Sequence, residues 1–132
     1  MPARVDNPYV YVNEVPGLPV VRVQRTEQSF PSAAEVVAAF TEVNRALDTL
    51  DRGRHGLLVD IRAATGRNDP EFEQTFAPLR AEMERGFARV AVLVRSITGT
   101  LQVQRHVRED GLDTEVRPFT DEAEAVAWLS RG

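Results

Sequence analysis

The chain has no cysteine and no lysine, and only 2 histidines in 132 residues. The missing cysteine excludes a disulfide framework, a thiolate nucleophile and cysteine-ligated zinc or iron–sulfur centres. With no lysine, all 16 positive charges are arginines, set against 20 Asp and Glu for a net charge of −4. A mildly acidic balance gives no support for a nucleic-acid binder, whose affinity rests on phosphate neutralisation. No apolar run reaches the 18 or so residues of a membrane-spanning helix. The opening Met1-Pro2-Ala3-Arg4 lacks the apolar core of a secretory signal. These absences favour the cytoplasm.

What is present fits a globule of one domain, residues 1–132. The 42% hydrophobic and 27% charged fractions are ordinary. A chain of this length buries roughly two-thirds of its unfolded surface, enough for one core and too little for two.

The order of elements follows from periodicity. Residues 1–7 read as a tail. Tyr9-Val10-Tyr11-Val12 and the alternating Pro19–Arg25 read as strands joined through the Pro16-Gly17 turn. Ser32-Ala33-Ala34-Glu35 fits a capping box. Val36, Phe40, Val43, Leu47 and Leu50 then share one helical stripe, which predicts a helix over 33–50 with Gly53 as its stop. Gly56–Ile61 and Arg89–Arg95 are apolar enough to be strands covered on both faces. Between them, Asp69-Pro70 starts a helix whose stripe is Phe72, Phe76, Leu79 and Met83, with Pro78 expected to kink or split it.

Residues 98–110 alternate like a strand. A parallel sheet needs a crossover there, and Gly111 is a plausible stop, so a helix capped by Thr98 is preferred. Thr114–Pro118 is a last strand, and Thr120 caps a last helix in which Trp128 packs into the core. The fold class is therefore α/β. A mixed five-stranded sheet is packed with about four helices in the order β-β-α-β-α-β-α-β-α.

Catalytic constellations are absent from this pattern. His55 lies in a charged turn and His106 among Arg105, Arg108 and Glu109, without HExxH or any other zinc spacing. Ser96, His106 and Asp110 assemble a triad only on paper, because no G-x-S-x-G elbow surrounds Ser96. Asp48 with Asp51, and Glu82 with Glu84, read as solvated carboxylates. Asp60 differs, since a carboxylate inside an apolar strand needs a hydrogen bond or an ion pair. Its plainest role is to pin the end of the sheet by accepting amides of the next loop.

A looser signal lies beyond the C-terminal ends of the two central strands, where open α/β sheets place their ligands. That edge gathers Asp60, Arg62, Arg95 and Ser96 with the loop residues Thr65, Gly66, Arg67 and Asn68. Thr98 and Gly99 would add helix-start amides that attract anions. The expected ligand is a phosphate, a carboxylate or an acidic patch on a partner; the alternative is that these arginines are solvated and pair locally.

Three stretches carry a family resemblance: Leu57-Leu58-Val59-Asp60-Ile61-Arg62, Arg89-Val90-Ala91-Val92-Leu93-Val94, and the ending from Val116-Arg117-Pro118-Phe119 to Trp128-Leu129. With the element order, they resemble the STAS domain of bacterial anti-sigma-factor antagonists, nearest to its divergent STAS/SEC14-like branch. The resemblance spans most of residues 8–131. It implies a non-enzymatic, partner-switching module of bacterial signalling whose protein partner is a kinase or anti-sigma-like regulator, with no cofactor and no metal. The family's switch loop holds a phosphorylatable serine in an Asp-Ser-Ser-Gly-like setting. Here Thr65-Gly66 is the nearest equivalent, and the preceding Asp and first Ser are missing. The SEC14-like relatives imply a second use, an apolar or lipid-like ligand held beside the sheet, which would make the chain a small-ligand sensor. A small enzyme is the least favoured reading. A homodimer is compatible with the need to protect an edge strand such as Tyr9–Val12.

Overall fold

The computed structural model describes residues 5–64 and 70–131. Six strands form one sheet in sequential order. They are β1 (Val5–Asp6), β2 (Val10–Glu14), β3 (Val20–Arg25), β4 (Gly56–Asp60), β5 (Arg89–Leu93) and β6 (Glu115–Phe119). The helices are α1 (Ala33–Leu47), α2 (Pro70–Glu84), α3 (Ile97–Asp110) and α4 (Glu122–Ser130), with one 3-10 turn at Arg52–Arg54. β1, β2 and β3 are antiparallel, and β3 through β6 are parallel.

The sheet gains one strand over the expected five. Val5–Asp6, expected in the tail, pairs with Val12 and Tyr11. β2 is therefore not an edge strand. The far edge is β6, where Pro118 and the charges of Glu115 and Arg117 discourage further pairing.

Parallel strands laid down in one direction, with right-handed crossovers, place every crossover helix on the same face. Accordingly α1, α2 and α3 share one core with Val21, Val23, Leu57, Val59, Val90 and Val92 of the sheet. α4 follows the last strand, crosses nothing, and covers the opposite face. There Trp128, Leu129 and Ala125 pack on Val20, Leu58, Ala91 and Leu93. Period-two alternation sends neighbours such as Leu57 and Leu58 into different cores. Fully buried Phe40 alone contributes about 2 kcal/mol of transfer free energy.

Several element ends differ from the sequence reading. α1 stops at Leu47, and Ser32 stands at its N-cap without a side-chain hydrogen bond. The last turn tightens, with Thr49 and Leu50 bonding three residues back, so Gly53 falls in the 3-10 turn instead of stopping the helix. α2 runs unbroken through Pro78. The cap of α3 is Ser96 rather than Thr98: its hydroxyl accepts from the Gly99 amide at 3.3 Å. Asp121, not Thr120, caps α4, accepting from the Ala123 amide at 2.8 Å. Each true cap has extended backbone one residue before its helix, which side-chain type alone does not fix.

Candidate functional site

The ends of β4 and β5 lie side by side. Asp60 is in register with Leu93, and the Ile61 amide bonds the Leu93 carbonyl at 3.1 Å. This is the arrangement on which the sequence-derived edge depends. Asp60 points toward α4 and is 3% exposed. Its Oδ2 accepts from Arg22 Nη2 at 2.8 Å and Arg62 Nη2 at 2.9 Å. Its Oδ1 accepts from the Arg62 backbone amide at 3.1 Å and Arg62 Nε at 3.0 Å. Glu122, in the first turn of α4, closes the knot on Arg22 Nη1 at 2.7 Å and Arg62 Nη2 at 2.8 Å.

Two guanidinium groups thus meet two carboxylates. Burial by itself raises the Asp60 carboxyl, but the Arg62 hydrogen bonds and the charges of Arg62 and Arg22 outweigh it and hold it below its ordinary range. Arg22 hydrogen bonds and charge likewise lower Glu122. Asp60 pins β3, β4 and α4 together, including the acceptance of the next loop's amide that its position in the strand suggests.

The other described edge residues each have contacts of their own. Arg62 is committed to the knot. Arg95 is exposed and donates to the Ala64 carbonyl at 3.4 Å. Ser96 caps α3, and its oxygen occupies the Gly99 amide. Gly99 is a packing position: a Cβ there would sit 3.0 Å from Val94 Cβ. Thr98 is exposed on the first turn of α3. Thr65, Gly66, Arg67 and Asn68 lie outside the described residues, as does the cap Asp69. Ser96 and His106 stand at opposite ends of α3, roughly 15 Å apart along its axis, and Asp110 is paired with Arg80, so no triad assembles. Among the described residues no group of three or more His, Asp or Glu side chains is placed to hold a metal ion. No helix of the described residues is long and apolar enough to cross a membrane.

A second site lies on the other face, between the sheet and helices α2 and α3. It is a partly enclosed cavity of about 150 Å³. Phe40, Phe72 and Phe76 line it with Val103 and Val107. Arg80, buried in its wall, donates Nε and Nη2 to Asp110 at 2.9 and 3.0 Å and Nη1 to Glu73 at 3.1 Å. His106 Nε2 is 3.2 Å from Glu73. Burial and the charge of Arg80 lower the His106 pKa, against the opposing charge of Glu73.

Glu84 also lines the cavity, 5% exposed, and makes no hydrogen bond to a described residue. Burial pushes its carboxyl up to about 7; Arg80 pulls the other way and Asp110 adds to the rise. The expectation of a solvated Glu84 is thus overturned. Its position was legible: Phe76, Arg80, Met83 and Glu84 follow the inward stripe of α2 at spacings of four, three and one. The strong apolar stripe ending at Met83 hid it.

No protein-family model matches the sequence, and no curated protein matches it. Among solved structures, similarity is found to an uncharacterised protein of the DUF3478 family from Shewanella loihica PV-4, described as having a SpoIIAA-like fold. The TM-score is 0.68 at 14% identity, over 95% of this chain and 98% of that one. The class of the fold follows from this match: it is α/β and SpoIIAA-like.

Proposed function

We propose that this chain is a single, non-enzymatic regulatory domain that works by binding a protein partner through the start of α3. One observation carries this reading. Ile97 and Leu101 are 79% and 61% exposed, four residues apart on one helical face. Arg95 stands just before them, and Arg105 and Arg108 follow along the helix, both exposed. An apolar pair rimmed by cations suits an amphipathic, acidic partner surface. Four of the residues singled out in the sequence, Arg95, Ser96, Thr98 and Gly99, belong to this segment. A cytoplasmic place in bacterial signalling, with a kinase or anti-sigma-like regulator as partner, extends the same reading.

The double substitution Ile97→Asp with Leu101→Asp tests it. Both side chains are in water already, so the circular-dichroism spectrum and melting temperature should hold. A partner recovered stoichiometrically by the unaltered chain should be lost by the variant. Recovery at undiminished yield refutes the α3 surface. Sedimentation velocity of both proteins shows whether the occupant is a second copy of this chain.

A further inference from the structure

In the cavity beneath α2 and α3 the Glu84 carboxyl has no hydrogen-bond partner among the described residues, and three aromatic rings stand in the same wall. The cavity volume, about 150 Å³, is that of cavities that hold one benzene ring. Phe76 stands 4.8 Å from Phe40 and 5.8 Å from Phe72, centroid to centroid, and the three rings supply a wall for a fourth.

Glu84 supplies the polar end. A buried carboxyl without a hydrogen-bond donor is costly and calls for a partner. Arg80 is not that donor in this structure: the hydrogen bonds of its Nε and terminal nitrogens go to Asp110 and Glu73. His106 faces Glu73. Around Arg80 there are thus three carboxyls, Glu73, Glu84 and Asp110, to one guanidinium. An ammonium ligand would need Glu84 ionised, which its burial opposes, and a carboxylate ligand would meet Glu84 acid to acid. A neutral donor avoids both conflicts.

We propose that this cavity binds a neutral, single-ring aromatic molecule bearing one O–H or N–H donor, its ring among Phe40, Phe72 and Phe76 and its donor on the Glu84 carboxyl. The site is independent of the partner surface on α3, and either assignment stands without the other.

Phenol, toluene and benzoate, titrated into the intact chain and followed by NMR shifts of the Val103 and Val107 methyl groups, test the assignment. Phenol should bind roughly tenfold more tightly than toluene, the effect of one hydrogen bond to a buried acceptor, and benzoate should be weakest. Glu84→Leu removes a buried ionisable group and should still fold; in it the preference for phenol over toluene should vanish while toluene still binds. Val103→Phe fills the cavity and should abolish binding of both. The proposal is overturned if phenol at millimolar concentration shifts no cavity methyl, if phenol and toluene bind alike, or if the preference survives in Glu84→Leu. Benzoate as the tightest ligand also overturns it and moves the anchor to Arg25. That guanidinium lines the same cavity, and its hydrogen bonds go to the carbonyls of Tyr9 and Gln28.

Discussion

The two faces of the sheet bury charge in opposite ways. Under α4, Arg22, Arg62, Asp60 and Glu122 make a neutral set, two cations to two anions, with both carboxylates accepting from both arginines. Among the described residues, Arg22 Nε is the buried polar atom of this set left without a partner. Under α2 and α3, acids outnumber the one buried arginine, a cavity adjoins them, and Glu84 has no donor among the described residues. A closed ion-pair set tells of architecture: it joins strands and a helix and leaves nothing for a ligand. An unbalanced set beside an aromatic void tells of a site. The same residue types carry both meanings, and stoichiometry and free volume decide between them.

Opening the closed side should have the largest effect. Asp60→Ala leaves Arg22 and Arg62 facing Glu122 alone and should cost about 4 kcal/mol in urea denaturation, as breaking a buried pair does. A loss below about 1 kcal/mol would make the knot a surface ornament like most exposed ion pairs. The pH response sharpens this contrast. The folded pKa of Asp60 lies below its ordinary 3.8, so its contribution is present at neutral pH and is lost as acid carries the pH down through the folded value.

Glu84 has the reverse sign. Its folded pKa, about 7, stands above the ordinary 4.5, so the native state holds the extra proton between those values. Its burial costs least below about pH 4.5, and stability falls as pH rises through 7. Glu84→Gln should therefore stabilise the chain by roughly 3 kcal/mol at pH 8 and change little at pH 4. Equal effects at both pH values would show that Glu84 is not desolvated in the folded chain.

The smallest effect concerns how α3 ends beside the cavity. Gly111 has φ of +59° and nothing near its missing Cβ. Gly111→Ala should cost about 1 kcal/mol from backbone strain alone. It should also leave ligand-induced shifts at Val103 unchanged. A larger loss would show that Asp110, one residue before, is being pulled off Arg80.

Much of the fold was legible because it rests on period and composition. The α1 stripe, the two double-covered strands and the crossover helix at 97–110 each follow from apolar spacing or from the need to connect parallel strands. Asp60 was legible too, since a lone carboxylate in Gly56–Ile61 demands partners. Which partners was not legible: Arg22 and Glu122 are 38 and 62 residues away and meet Asp60 only through sheet register and the return of α4. The cavity was hidden for a related reason. Residues from α1, α2, α3 and three strands line it, and no local spacing encodes a gap among six elements. The expectation of a site at the strand ends borrowed from sheets whose strand order reverses and so opens a crevice. Here the parallel strands run β3-β4-β5-β6 without reversal, and the cavity described above lies under the helices.

By itself the sequence determined the α/β class, the order of elements from β2 onward, and the apolar inward stripes of its helices and central strands. These are set by local periodicity and by the handedness of crossovers. Tertiary structure alone decided which charges cancel, which carboxyl is left over, and where packing falls short of filling space. Those depend on side chains distant in the chain arriving at distances of about 3 Å, the range over which hydrogen bonds and burial act.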